Sequence, residues 1–229
     1  MRTLFLCGLI SVCLACSVVT PPPMMARHGS AMPAAVGEGD LTMIGIGASG
    51  AFVDPVAGGE LRGVSQVTDN LAVGAGLGGA YRLPTEDSDD DPPDLALGGR
   101  IIALYNPGGL KWMRVVGGTG GGLTDTGLAY ATADVGALFS WTFFDRLTPY
   151  GGPAVAVSIP VTRGAAMSGA VRPGVTGWAG GMVGVEYRLS DKLYTSVEGS
   201  ILEGWSTNGE AAGIFVGSVG LRYRFDAEP

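Results

Sequence analysis

The 229-residue chain contains one histidine, His28, and three cysteines, Cys7, Cys13 and Cys16. Imidazole and thiolate are the groups best suited to acid–base work near neutral pH, to an activated nucleophile or to soft-metal ligation. All four lie close to the N-terminus. A Ser–His nucleophile or a His-bound metal in the rest of the chain would have to borrow His28, so it reads as a solvated linker residue and the chain as non-enzymatic. Two further stretches invite a chemical reading. Glu86-Asp87-Ser88-Asp89-Asp90-Asp91-Pro92-Pro93-Asp94 gathers hard carboxylate oxygens that suit calcium, but it lacks the spaced ligands and central glycine of an EF-hand loop. It reads as a solvated surface loop and no metal site is assigned; cation bridges to lipopolysaccharide phosphates are the looser alternative. Val116-Gly117-Gly118-Thr119-Gly120-Gly121-Gly122 could pass for a phosphate cradle, yet no Gly-Lys-Ser/Thr ending or following helix accompanies it. It reads as a flexible outer loop. Nine further charges, Arg82, Arg100, Arg114, Asp134, Glu186, Arg188, Glu198, Arg222 and Arg224, are spread along the chain. They become a group only if the fold turns them to one side.

Short polar turns recur at Val67-Thr68-Asp69-Asn70-Leu71, Phe144-Asp145-Arg146-Leu147 and Leu189-Ser190-Asp191-Lys192-Leu193, with Asn106-Pro107-Gly108-Gly109 as a fourth of different chemistry. Between them lie longer loops rich in Gly, Asp, Ser and Thr. Strands are expected near 41–53, 60–67, 70–82, 94–105, 110–118, 127–143, 147–160, 174–189, 192–205 and 212–225. The fold class is therefore all-β: an up-and-down antiparallel transmembrane β-barrel of about ten strands, with eight as the alternative.

Period two is clearest in the second half. Ala131, Ala133, Val135, Ala137, Phe139, Trp141 and Phe143 share a face; Tyr130, Thr132, Asp134, Gly136, Ser140 and Thr142 share the other. Val155, Val157, Ile159 and Val161 oppose Tyr150, Gly152 and Ser158, and Val183, Val185 and Tyr187 oppose Gly184, Glu186 and Arg188. An apolar set in lipid and a polar set in the lumen follow from this alternation. It places the nine charges above on the lumen face, where pairing into a network is expected because an unpaired buried charge is costly; an Arg-rich, anion-favouring path is the alternative. Inward Gly74, Gly76, Gly78, Gly152, Gly180, Gly184 and Gly220 either relieve crowding or leave a channel. Tyr105, Trp141, Phe143, Tyr187, Tyr223 and Phe225 fall on the outer face near short turns or the last strand's end, as an interfacial aromatic girdle on the periplasmic side.

Mean hydropathy is +0.31, high for a chain in which nothing beyond the N-terminus offers 18 apolar residues for a spanning helix. Only 15% of residues are charged, which favours lipid rather than water outside. A net charge of −7 excludes a nucleic-acid partner. Residues 1–15 read as a signal peptide, with Arg2 before an apolar run. Residues 16–40, with Pro21-Pro22-Pro23, read as a flexible tether, and 41–226 as the barrel domain. No cofactor is implied.

Two stretches carry a resemblance. Leu14-Ala15-Cys16-Ser17 resembles a bacterial lipoprotein cleavage site, which implies lipidation of Cys16, although Cys13 stands where that pattern has an aliphatic residue. Val219, Leu221, Tyr223 and Phe225, alternating with Gly220, Arg222 and Arg224, are similar to the terminal strand of outer-membrane proteins, here followed by Asp226 to Pro229. Together with Leu147-Thr148-Pro149-Tyr150-Gly151-Gly152, this makes region 41–226 resemble the family of small bacterial outer-membrane β-barrel domains. The resemblance implies an outer membrane of Gram-negative type, membrane lipid as surroundings and recognition of the last strand by the barrel-assembly machinery. It implies a structural or surface-interaction role, with a small ion or solute channel of porin type as the alternative.

Overall fold

The computed structural model describes residues 40–51, 55–82, 95–124, 127–162, 174–207 and 211–224, with side chains from residue 58 onward apart from 81, 82, 109, 211, 212 and 214–216. Cys16, His28, Phe225 and the 86–94 run lie outside these residues, as does the side chain of Arg82. Ten strands appear in chain order: β1 Asp40–Ala51, β2 Pro55–Thr68, β3 Leu71–Arg82, β4 Leu95–Tyr105, β5 Met113–Thr124, β6 Ala129–Ser140, β7 Leu147–Pro160, β8 Thr176–Arg188, β9 Leu193–Ser206 and β10 Ala211–Arg224. Each pairs antiparallel with its neighbours in sequence, and β1 closes on β10. This is an up-and-down barrel of ten strands, not eight. Strands of 11 to 14 residues are long enough to cross a bilayer when tilted.

The register fixes the tilt. One row of partners runs from Thr148 through Glu186, Ser196, Gly220, Gly45, Glu60, Gly78, Gly98, Gly122 and Tyr130 to Pro160. It returns to β7 twelve residues from where it began. That shear over ten strands inclines them by about 40° to the barrel axis. Residues level with one another are thus offset along neighbouring strands, and side chains on non-adjacent strands come together inside.

The short turns are built by local side-chain chemistry. Thr68 Oγ1 accepts from the backbone N–H groups of Asn70 and Leu71, at 3.4 and 3.1 Å. Ser190 Oγ does the same for Lys192 and Leu193, at 3.4 and 3.1 Å. Phe144 and Asp145 both hold positive φ, 53° and 54°, and Arg146 N–H donates to Phe143 O at 3.1 Å. Consecutive left-handed residues give the turn whose twist matches a hairpin.

Three expectations are corrected. Gly117–Gly122 is not an outer loop: β5 runs through it to Thr124. Its glycines on the inner face lie beneath large side chains, so the strand needs no side chains of its own there. β6 ends at Ser140, which leaves Trp141 and Phe143 in the connection to β7. The contrast between short turns and long loops is also weaker than the sequence suggests. At the end opposite the short turns, residues 52–54, 125–128 and 207–210 make brief connections, and only 83–94 and 161–175 are long.

Candidate functional site

The lumen is the site, and among the described residues it holds three buried ion pairs. Arg62 binds Glu60 on the same strand through Nη2–Oε2 at 3.1 Å and Nε–Oε1 at 3.3 Å. Arg100 Nη2 on β4 donates to Asp134 Oδ2 on β6 at 3.0 Å. Arg222 on β10 grips Glu186 on β8 with two bonds, 2.9 and 3.2 Å, and its guanidinium lies 4.0 Å over the Tyr194 ring of β9. All six side chains of these ion pairs are almost fully buried. A fourth link is uncharged on one side: Tyr150 Oη on β7 donates to Glu198 Oε2 on β9 at 3.0 Å.

Three of the four links skip a strand, and for two of them glycine explains how. A Cβ on Gly118 of β5 would stand 2.8 Å from Arg100 Cζ, and one on Gly184 of β8 would stand 2.5 Å from Tyr150 Cζ. Gly122 lies in the same way beneath Tyr130, and Gly204 beneath Trp178. These inward glycines are seats for large side chains folded across them. Of the two roles the sequence left open for glycine, relief of crowding fits these positions.

Beside the charged pairs lies something the alternation did not announce. Val64, Ala72, Ile102, Leu104, Val116, Leu138, Ala154 and Met182 form a buried apolar cluster with Tyr150 inside the barrel. Towards the long connections the lining changes to hydroxyls, with Ser158, Thr176, Ser200 and Ser206 buried. Towards the short turns the apolar cluster forms the floor of an open cavity of about 700 Å³, bordered by Ala72, Leu104, Arg114, Thr148, Glu186 and Tyr194 below and by residues of the turns above.

Of the nine charges expected in the lumen, Arg100, Asp134, Glu186, Glu198 and Arg222 join these links. Arg114 is buried on the inner face, where its Nε donates to Asn106 Oδ1 at 2.8 Å. Arg188 stands at the mouth and pairs with Asp191 of the adjoining turn, so it belongs to the rim and not to the buried network. Arg224 is half-buried at the end of β10. Glu60 and Arg62 were missed because β2 carries glycine and serine on its outer face, which blurs its alternation; their spacing of two was the available signal.

The outer face is apolar. Leu61, Leu77, Leu97, Ile101, Leu123, Val135, Val155, Val183, Val197, Ile201 and Val219 all point away from the barrel and are exposed. Tyr105, Trp141, Phe143, Tyr187 and Tyr223 are exposed beside the short turns, joined by Trp112 and Phe144, which the girdle expectation omitted. Trp112 stacks on Phe139 with centroids 6.1 Å apart. An inside-out distribution of this kind defines a transmembrane β-barrel. Arginine at Leu77 or Val183, each 70% exposed on this face, is expected to cost about 2–4 kcal/mol in bilayers if the site lies near the midplane. Urea titration in phospholipid vesicles measures it. An unchanged midpoint for both variants would place water, not lipid, against these strands.

The chain matches no protein-family profile, and no curated protein sequence matches it. Solved structures similar to it are outer-membrane β-barrel proteins. A loop-deletion form of OmpT, an outer membrane protein of Vibrio cholerae, is 16% identical with a TM-score of 0.35; the match covers 75% of this chain and 54%, about half, of that one. The outer membrane protease OmpT from Escherichia coli is 12% identical with a TM-score of 0.36, covering 82% and 96%. The KdgM porin, solved with disordered oligogalacturonate, is 11% identical with a TM-score of 0.33, covering 82% and 97%. A protease and a porin stand side by side among them, and likeness this distant assigns neither activity.

Proposed function

We propose that this chain is a non-enzymatic outer-membrane barrel of a Gram-negative-type bacterium, closed to solutes, with a structural or surface-interaction role. The observation that carries the reading is the engagement of the lumen's charges with one another. A path for ions needs charged or polar groups facing water along its length. Here Arg62, Arg100 and Arg222 are buried against Glu60, Asp134 and Glu186, and an apolar cluster lies between the first two pairs and the short-turn mouth, where Glu186 borders the cavity. Barrels of this strand number have interiors that side chains can fill. The seated glycines support the same reading, because the space they release is taken by Arg100, Tyr130, Tyr150 and Trp178.

The porin-type alternative rests on the open cavity at the short-turn mouth, which would be one vestibule of a channel. Purified protein in planar bilayers is expected to show no steady conductance, and Asp134→Ala to show no regular steps either. Stable anion-selective single-channel steps from the wild type would transfer the assignment to the channel.

A further inference from the structure

We propose that the cavity at the short-turn mouth is the docking site of the chain's own segment Met32-Pro33-Ala34-Ala35-Val36, which lies just before β1 and caps the lumen from that side. This goes beyond the structural role proposed above and holds whether or not the lumen conducts.

The place where the chain enters the barrel comes first. β1 starts at Asp40, whose register partner is Arg224 at the end of β10. Arg224 N–H donates to Lys192 O at 2.8 Å, in the turn between β8 and β9. The chain therefore joins the wall at the short-turn end, where the cavity opens. The offset between strands also puts Asp40 about level with Ala72, which with Leu104 floors the cavity.

Reach comes next. Ten strands about 4.8 Å apart and inclined by about 40° make a barrel of roughly 10 Å radius. An extended chain gains about 3.3 Å per residue. Val36 can therefore reach the barrel axis from Asp40, and Met32 can cross the mouth. Gly37 and Gly39 lie at the junction, and glycine accepts the left-handed backbone needed for a sharp turn from the wall across the mouth.

Chemistry selects these five residues. From Met32 to Val36 the segment has no charged side chain, whereas Arg27 and His28 precede it and Glu38 follows. Ala72 and Leu104 belong to the buried apolar cluster, so an apolar segment set on them extends that cluster and leaves water. The lining also carries Gln66, Asn70 and Thr142, neutral polar side chains that can answer the backbone groups of an extended segment. A space of about 700 Å³ lies in the range that encloses a small molecule, comparable in bulk with a few small residues.

The test is disulfide trapping in the full chain folded in neutral detergent, with Cys7, Cys13 and Cys16 replaced by Ser. One cysteine at Met32, Ala34 or Val36 is paired with one at Ala72 or at Lys192. A disulfide needs Cα atoms within about 7 Å. Lys192 is exposed, outside the cavity and beside the point where β1 starts, so an undocked segment finds it first. The fastest Ala72 pair is expected to close at least about tenfold faster than the fastest Lys192 pair, because docking raises the local concentration of one thiol at the other. Ala35→Asp, which sets a charge against the apolar floor, should reverse that order. Ala72→Cys can disturb the floor, so Asn70→Cys at the exposed rim carries the same comparison independently, in protein that still shifts mobility on boiling. Lys192 pairs as fast as both cavity pairs, or an order unchanged by Ala35→Asp, would overturn the proposal. A trapped dimer in place of a trapped monomer would give the cavity to a second copy and overturn it as well. Conductance is scored separately: its appearance would remove the closed-lumen reading and leave the docked segment standing.

Discussion

Glu186→Ala is expected to lower the unfolding free energy of the barrel by about 3–5 kcal/mol, the cost of stranding one member of a buried ion pair. Arg222 is 2% exposed and directs two bonds at Glu186, 2.9 and 3.2 Å long. With the carboxylate gone, the Tyr194 ring at 4.0 Å remains against the guanidinium, and a cation–π contact is worth only about 0.5–2 kcal/mol. Replacing both residues, as Glu186→Leu with Arg222→Leu, should recover most of the loss, because a buried ion pair exchanged for apolar side chains is often neutral. Urea unfolding followed by tryptophan fluorescence measures all three proteins. A small loss in Glu186→Ala would mean that another partner, or water from the short-turn cavity, answers Arg222 once the carboxylate is gone.

The second large effect is steric. A Cβ on Gly152 of β7 would meet the backbone of Ala137 on β6, with the carbonyl oxygen nearest and the carbonyl carbon at 2.9 Å. On Gly180 of β8 it would stand 2.9 Å from Ile201 C and Leu202 Cα of β9. Overpacking against movable side chains costs about 1–3 kcal/mol; here the neighbouring strand itself must shift. Gly152→Val and Gly180→Val are each expected to cost at least the upper end of that range and to leave much of the protein unable to form the heat-modifiable species on gels. Gly177, three residues away from Gly180 on the same strand, has open space where its Cβ would stand. Gly177→Val should fold normally and gain up to about 0.5–1 kcal/mol from the lost chain freedom of glycine. Equal behaviour at all three positions would show that sheet crowding does not set the glycine content.

What the sequence made legible was the outer surface. From β6 to β9 the apolar residues at alternate positions meet lipid and their neighbours are polar or small, so the period of two survives and strand, face and charge can be read together. The lumen was legible only where it is charged. Ile101-Ile102 and Val115-Val116 place apolar side chains on both faces, and nothing in adjacent valines or isoleucines says that one of them packs inside. The apolar layer of Ile102, Leu104, Val116 and Leu138 was hidden for that reason. The second half of β5 was lost differently: Gly117–Gly122 carries almost no side chains, so it has no alternation to show, and large side chains, Arg100 of β4 and Tyr130 of β6, lie over its glycines. Partnerships such as Arg100 with Asp134 depend on the shear, a property of all ten strands at once.

Closure has a kinetic side. Nine of the ten strand pairings join sequence neighbours and can form as hairpins while the chain is still emerging. The tenth joins Leu41 to Tyr223 and Ala51 to Ile214, near the two ends of the described barrel. Contacts of such sequence separation are slow to form, because the entropy of bringing the ends together is spent before any bond rewards it. Until β10 docks, the sheet is open and β1 presents a row of unanswered backbone donors and acceptors, the feature that invites pairing with another chain. The irregular register of β1 between Met43 and Gly45 interrupts that row, so the strand that waits longest for its partner is also a poor template for the wrong one.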